Sequence, residues 1–185
     1  MLIILVSGML LSRLRTLHEY GTYSQLMMVV RLAITVVMMG LPNSLNYFLS
    51  RSETKEERSH FLSVYYTTST ILSLLVGLVL IILTPSLVTL FSNELIHGFI
   101  YFLAMYPFAR IILSSLENVL IIYKKTSIII WYRLINGVLL IGSIILVQIL
   151  GLGFNIYMVL YLSIQLLFAF LTLVIVKMLE NGFTV

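Results

Sequence analysis

Three arginines and one glutamate interrupt long stretches that otherwise carry no charge: Arg31, Arg110, Arg133 and Glu117. Arg31 lies about ten residues, roughly 15 Å, into an apolar helical segment, too deep for easy snorkelling. A charge near the middle of a membrane span costs at least about 2.5 kcal/mol on insertion scales. Arg31 must therefore meet a carboxylate or helix-end carbonyls elsewhere in the bundle, or else face a substrate. Arg110 and Glu117 are seven residues apart, two helical turns, which sets them on nearly one face about 10 Å apart along the axis, with Ser114 between them. That spacing predicts a water-filled or bundle-facing stripe. Glu117 is the only carboxylate deep inside a predicted span. It could carry a proton or hold a sodium ion, or it could neutralise Arg110 or Arg133. Arg133 lies about six residues into its segment, within snorkelling reach of the nearer membrane face.

The elements that position these residues must be membrane helices. Residues 134–176 contain no Asp, Glu, Lys or Arg, and neither do residues 61–93. A bilayer core of about 30 Å needs about 20 helical residues per span. The chain of 185 residues is 61% hydrophobic and 10% charged, whereas soluble domains run near a quarter charged. An all-α, polytopic transmembrane bundle follows, with spans at about 1–14, 22–49, 60–90, 97–123, 127–150 and 155–178. The first, whose apolar residues 1–12 give about 18 Å of helix, is too short to cross and reads as the end of a truncated helix rather than a signal peptide. Residues 1–179 form one helical lobe, and 180–185 a cytoplasmic tail. Pro42, in Gly40-Leu-Pro-Asn-Ser44, and Pro107, three residues before Arg110, predict kinks close to the buried arginines. Gln148 and Gln165 read as interhelical hydrogen-bonders.

The net charge of +4 reflects helix orientation rather than nucleic-acid binding. Loops after the second, fourth and sixth spans carry Arg51, Lys55, Arg58, Lys124, Lys125 and Lys177; the other loops carry only Arg13 and Arg15. This split places the Arg51 to Arg58 loop and the N-terminus in the cytoplasm. Tyr20, Tyr23, Tyr123, Trp131 and Tyr157 fall near span ends and suit interfacial belts. The chain has no Cys, which excludes disulfides, thiolate metal sites and Cys nucleophiles. His18, His60 and His97 are far apart and suggest no metal site. No phosphate-binding glycine loop, nucleophile triad or carboxylate pair supports an enzyme, and no cofactor is implied.

The run His18-Glu-Tyr-Gly-Thr-Tyr-Ser-Gln25 resembles the opening of the second helix of bacterial polysaccharide flippases. Met39-Gly-Leu-Pro-Asn-Ser-Leu-Asn-Tyr-Phe-Leu-Ser-Arg51 resembles the end of that helix, and it leads into Lys55-Glu-Glu-Arg58 as in that family. The match is dense over about residues 13–60. The resemblance is to the multidrug/oligosaccharidyl-lipid/polysaccharide exporter superfamily, in the branch of O-antigen and capsule repeat-unit flippases. It implies one lobe of a two-lobe transporter in the bacterial inner membrane, completed by a second lobe or second copy. The implied activity is flipping undecaprenyl-pyrophosphate-linked oligosaccharide from the cytoplasmic to the outer leaflet for polysaccharide biosynthesis. On that resemblance Arg31, Arg110 and Arg133 would hold the pyrophosphate, whose oxygens match guanidinium forks, and Glu117 would couple an ion. Members carry about twice as many helices, so a fragment of a longer gene is expected. A multidrug or small-cation exporter, and a non-transporting membrane assembly protein, are the alternative readings.

Overall fold

The computed structural model describes residues 2–180. It holds α1 (Leu2–Leu14), α2 (Leu17–Val37), α3 (Leu41–Arg51), α4 (Lys55–Phe91), a 3-10 turn (Glu94–Phe99), α5 (Ile100–Ile122), α6 (Thr126–Ile149) and α7 (Phe154–Glu180), with no strand among the described residues. Glu180, the first residue of the expected tail, is helical within α7, and the rest of that tail lies outside the described residues. Four segments are long and apolar enough to cross a membrane: α4, Glu94–Ile122, α6 and α7. A fifth arises when α2 and α3 count as one broken span. The chain is thus an all-helical bundle compatible with a multi-pass membrane protein. Its outward faces carry side chains such as Ile82, Val138 and Phe170, 66%, 59% and 66% exposed, while Ser69, Ser73, Thr84 and Thr172 are buried. In water that arrangement would be unfavourable; in lipid it is the expected one, with Ser73 and Thr84 bonding carbonyls of their own helix and Thr172 meeting Tyr132 across helices.

Local sequence sets the helix ends. Thr16 with Glu19, and Thr54 with Glu57, form capping boxes at the starts of α2 and α4. The single helix expected over 22–49 is instead two, bent by 48°. Gly40 adopts φ +94°, a left-handed conformation that ends one helix, and Pro42 stands in the first turn of the next, where its missing N–H costs nothing. Pro42 therefore starts a helix rather than kinking one. Pro107 lies within α5, as expected, and frees the Leu103 carbonyl. Pro85, passed over in the sequence, likewise lies within α4.

α5 is the spine of the bundle. It packs against α2, α3, α4, α6 and α7, and Phe102, Leu103, Ala109, Ile112, Leu116 and Val119 on it are all buried. Three apolar clusters hold the bundle, a small one of Ala109, Ile112 and Ala169 at mid-length and two larger ones toward its ends. One gathers Leu11, Leu26, Val30, Phe99, Val147 and Phe154 around the α1–α2 and α6–α7 corners. The other gathers Leu45, Leu49, Leu62, Leu120 and Leu179 around the α3–α4 and α5–α6 corners. Polar clasps tie the first end. Arg15 donates to the Leu152 carbonyl at 3.1 Å, and Asn93 donates to Thr22 Oγ1 at 2.9 Å and Gln25 Oε1 at 2.7 Å. Arg15 thus does more than add charge to a loop.

α4 lies close against α5 at Gly77, where a Cβ would collide with the Ala104 backbone carbonyl. Gly77→Ala is expected to lower the thermal midpoint of the detergent-solubilised protein, at a cost of about 1–3 kcal/mol. Gly142→Ala on α6, where a Cβ meets nothing within 4 Å, is expected to leave it unchanged or raise it slightly.

Candidate functional site: a cationic cavity between four helices

The stripe on α5 opens onto a cavity of about 320 Å³ walled by α2, α5, α6 and α7, with Ser7 of α1 at its edge. Arg31, Arg110, Glu117 and Arg133 all line it. Residues about 80 positions apart in the chain thus share one polar chamber, because α5 brings α2 to one of its sides and α6 with α7 to others.

Helical rise orders the lining in tiers. Tyr106, Arg110 and Glu117 follow one another along α5, spanning roughly 16 Å. At the end nearest the α1–α2 corner, Tyr23, Tyr106 and Tyr161 form an aromatic floor. The Tyr161 ring centroid is 6.0 Å from that of Tyr23 and 5.8 Å from that of Tyr106, and the Tyr106 and Tyr161 hydroxyls are 3.3 Å apart. Arg31 and Arg110 occupy the middle. Glu117 and Arg133 lie toward the α5–α6 corner with Leu113, Leu116 and Ile129.

Arg133 pairs with Glu117: its Nε donates to Glu117 Oε1 at 2.7 Å, and its Nη2 makes a closer second contact. Glu117 thus neutralises Arg133, not Arg110. Arg31 and Arg110 have no ion pair and no side-chain hydrogen bond among the described residues. Three guanidiniums against one carboxylate leave the cavity with an excess of positive charge. That excess attracts anions, with a strength limited by the exposure of the arginine side chains. A guanidinium's fixed fork suits phosphate or carboxylate oxygens in pairs.

Ser114 does not line the cavity; its hydroxyl turns to the Ile111 carbonyl and lies 3.5 Å from Met38 Sδ. Gln165 is buried and reaches Asn136 Oδ1 across the helix pair at 3.5 Å, whereas Gln148 stands exposed on α6. Trp131 is exposed at 65%, as a belt residue would be, but Tyr157 is 2% exposed in the core and Tyr23 is in the cavity floor. Sequence position near a span end did not distinguish these from belt tyrosines. Asn136, also missed, sits one turn from Arg133 on α6, a spacing that could have marked it. No group of three or more His, Asp or Glu side chains among the described residues could hold a metal ion.

The side chains of Arg133 and Glu117 are 62% and 40% exposed, so screening limits what their pairing contributes. A double-mutant cycle with Glu117→Gln and Arg133→Gln is expected to give a coupling of about 1 kcal/mol or less in thermal unfolding. Comparisons with protein-family models, with curated proteins and with solved structures found no match to this chain.

Proposed function

We propose that this chain forms one lobe of a membrane transporter that flips undecaprenyl-pyrophosphate-linked oligosaccharides from the cytoplasmic to the outer leaflet for polysaccharide biosynthesis. A second lobe or a second copy completes the cavity. The observation that carries this reading is the presence of Arg31 and Arg110, unpaired among the described residues, in one cavity on helices that run through apolar sequence. An unpaired guanidinium at that depth is stabilised by water or by an anionic ligand. A pyrophosphate offers two anionic groups in tandem, matched to two forks. The resemblance of residues 13–60 to flippases supplies the substrate class. The basic α3–α4 and α5–α6 corners, with Arg51, Lys55, Arg58, Lys124 and Lys125, then face the cytoplasm of a bacterial inner membrane. In this reading Arg133 is held by Glu117 until the substrate arrives, and Glu117 is the group available for ion coupling.

A drug or small-cation exporter would need acidic lining, and the excess of arginine argues against it. The ion pair between Arg133 and Glu117 is what favours a non-transporting assembly protein, since that reading expects arginines closed by internal partners. Arg31 and Arg110 depart from it.

Charge reversal separates these readings. Arg31→Glu and Arg110→Glu, each placed in the complete transporter, are expected to lower surface polysaccharide at least about tenfold, the scale of one lost charge-assisted hydrogen bond. Lysine at either position should retain part of the activity. Normal surface polysaccharide in both reversed variants would remove these residues from the substrate path.

A further inference from the structure

α3 has an outward face that suits neither lipid tails nor water. Its 11 residues, about 16 Å of helix, are too few to cross a bilayer, and it is bent by 48° from α2. Only Leu45 and Leu49 on it are buried, in one cluster with Leu116, Val119 and Leu120. Those three belong to the last two turns of α5, just before the turn that carries Lys124 and Lys125. α3 therefore sits level with the basic end of the bundle, which in a bilayer is the headgroup region.

The exposed residues of α3 divide in chemistry. Asn43, Asn46 and Ser50 are polar, and lipid tails would leave the carboxamides unsatisfied. Tyr47 and Phe48 are half exposed, and with Phe61 of α4 they form an aromatic row, with successive ring centroids 5.1 and 5.6 Å apart. Water would leave those rings uncovered. Helical period sets Asn46 and Ser50 on one flank and Phe48 on the other. A short helix so divided is stable in the plane between the two media.

Arg51 completes this face. It follows Tyr47 by one turn, on the side away from Leu45 and Leu49. Its guanidinium lies over the Tyr47 ring, 3.9 Å from the centroid, and Nη1 donates to the Tyr47 hydroxyl. Stacking holds the fork in place without neutralising it. Glu53, Glu56 and Glu57 are near in sequence, yet neither Arg51 nor Lys55 has an ion pair among the described residues. Glu57 instead accepts from the backbone N–H groups of Glu53 and Thr54, at 3.0 and 3.4 Å. Across this end, Arg51, Lys55, Arg58, Lys124, Lys125 and Lys177 outnumber Glu53, Glu56, Glu57 and Glu180.

We propose that α3 lies in the membrane interface and that Arg51, braced by Tyr47, holds the phosphate of an anionic phospholipid of the adjoining leaflet. The fork offers a fixed pair of donors to phosphate oxygens. The positive excess of this end favours an anionic headgroup over a zwitterionic one. Phe48 and Phe61 cover the start of the acyl chains. No residue of α3 lines the cavity, so this inference stands whatever the cavity carries.

The chain has a single tryptophan, Trp131. In the full chain carrying Trp131→Phe, Phe48→Trp places one reporter on α3. Vesicles of phosphatidylcholine and phosphatidylglycerol, with one or the other lipid brominated to quench tryptophan on contact, report which lipid adjoins it. Phosphatidylglycerol is expected to be favoured about fivefold, the scale of one basic side chain at an anionic surface. Arg51→Gln is expected to bring that ratio close to one and Tyr47→Leu to lower it, while Lys177→Gln on α7 leaves it in place. Unchanged thermal midpoints check that these exposed substitutions do not disturb the fold. Equal quenching by the two lipids in the parent reporter chain would overturn the site. So would a preference that survives Arg51→Gln, or one that Arg51→Gln and Lys177→Gln reduce alike, which is the diffuse potential of the whole end. A reporter that neither lipid quenches would overturn the interfacial placement of α3 as well.

Discussion

The cost of placing a guanidinium among apolar helices is the constraint on which this structure turns. Arg31 and Arg110 cannot face lipid without a penalty of several kcal/mol, and among the described residues neither has an ion pair. Both line the cavity between α2, α5, α6 and α7, with their side chains exposed. Arg133, although exposed, pairs with Glu117 across the α5–α6 gap.

The rest of the bundle holds the chamber open and in register. α5 is packed on most of its circumference, so its one polar stripe has a fixed direction. Gly77 lets α4 press against the α5 backbone from another side. Apolar cores toward both ends, and a smaller one of Ala109, Ile112 and Ala169 between them, keep the helices together beside the cavity. The clasp of Arg15 on the Leu152 carbonyl and the Asn93 network close the end behind the tyrosine floor. The break at Gly40 separates the segment carrying Arg31 from the amphipathic α3, whose Leu45 and Leu49 anchor in the second core.

Much of this was legible in the chain, for reasons that mark its limits. Uncharged runs bounded by the Arg51 to Arg58 segment, the Tyr123 turn and the paired glycines near 151 define helices within a few residues, because lipid forces every backbone group into an intrahelical bond. The stripe of Arg110 and Glu117 follows from helical period alone. The break at Gly40 was read as a kink, because the proline was visible and the positive φ of the glycine was not. Which carboxylate partner Arg133 takes, and the meeting of Tyr23 with Tyr161, depend on how α2, α5, α6 and α7 are arranged around each other. No spacing along one helix carries that information, so Tyr23 and Tyr157 passed for belt residues.

The central claim is that the unpaired arginines line a water-accessible chamber, and thiol accessibility tests it most directly. The chain has no cysteine, so Arg31→Cys and Arg110→Cys introduce single reporters, with the outward-facing Val138→Cys as the lipid control. A thiol reacts as its thiolate, which needs water. The account predicts that a charged, membrane-impermeant maleimide modifies positions 31 and 110 at least about tenfold faster than position 138. Modification of 31 and 110 no faster than 138 would contradict it.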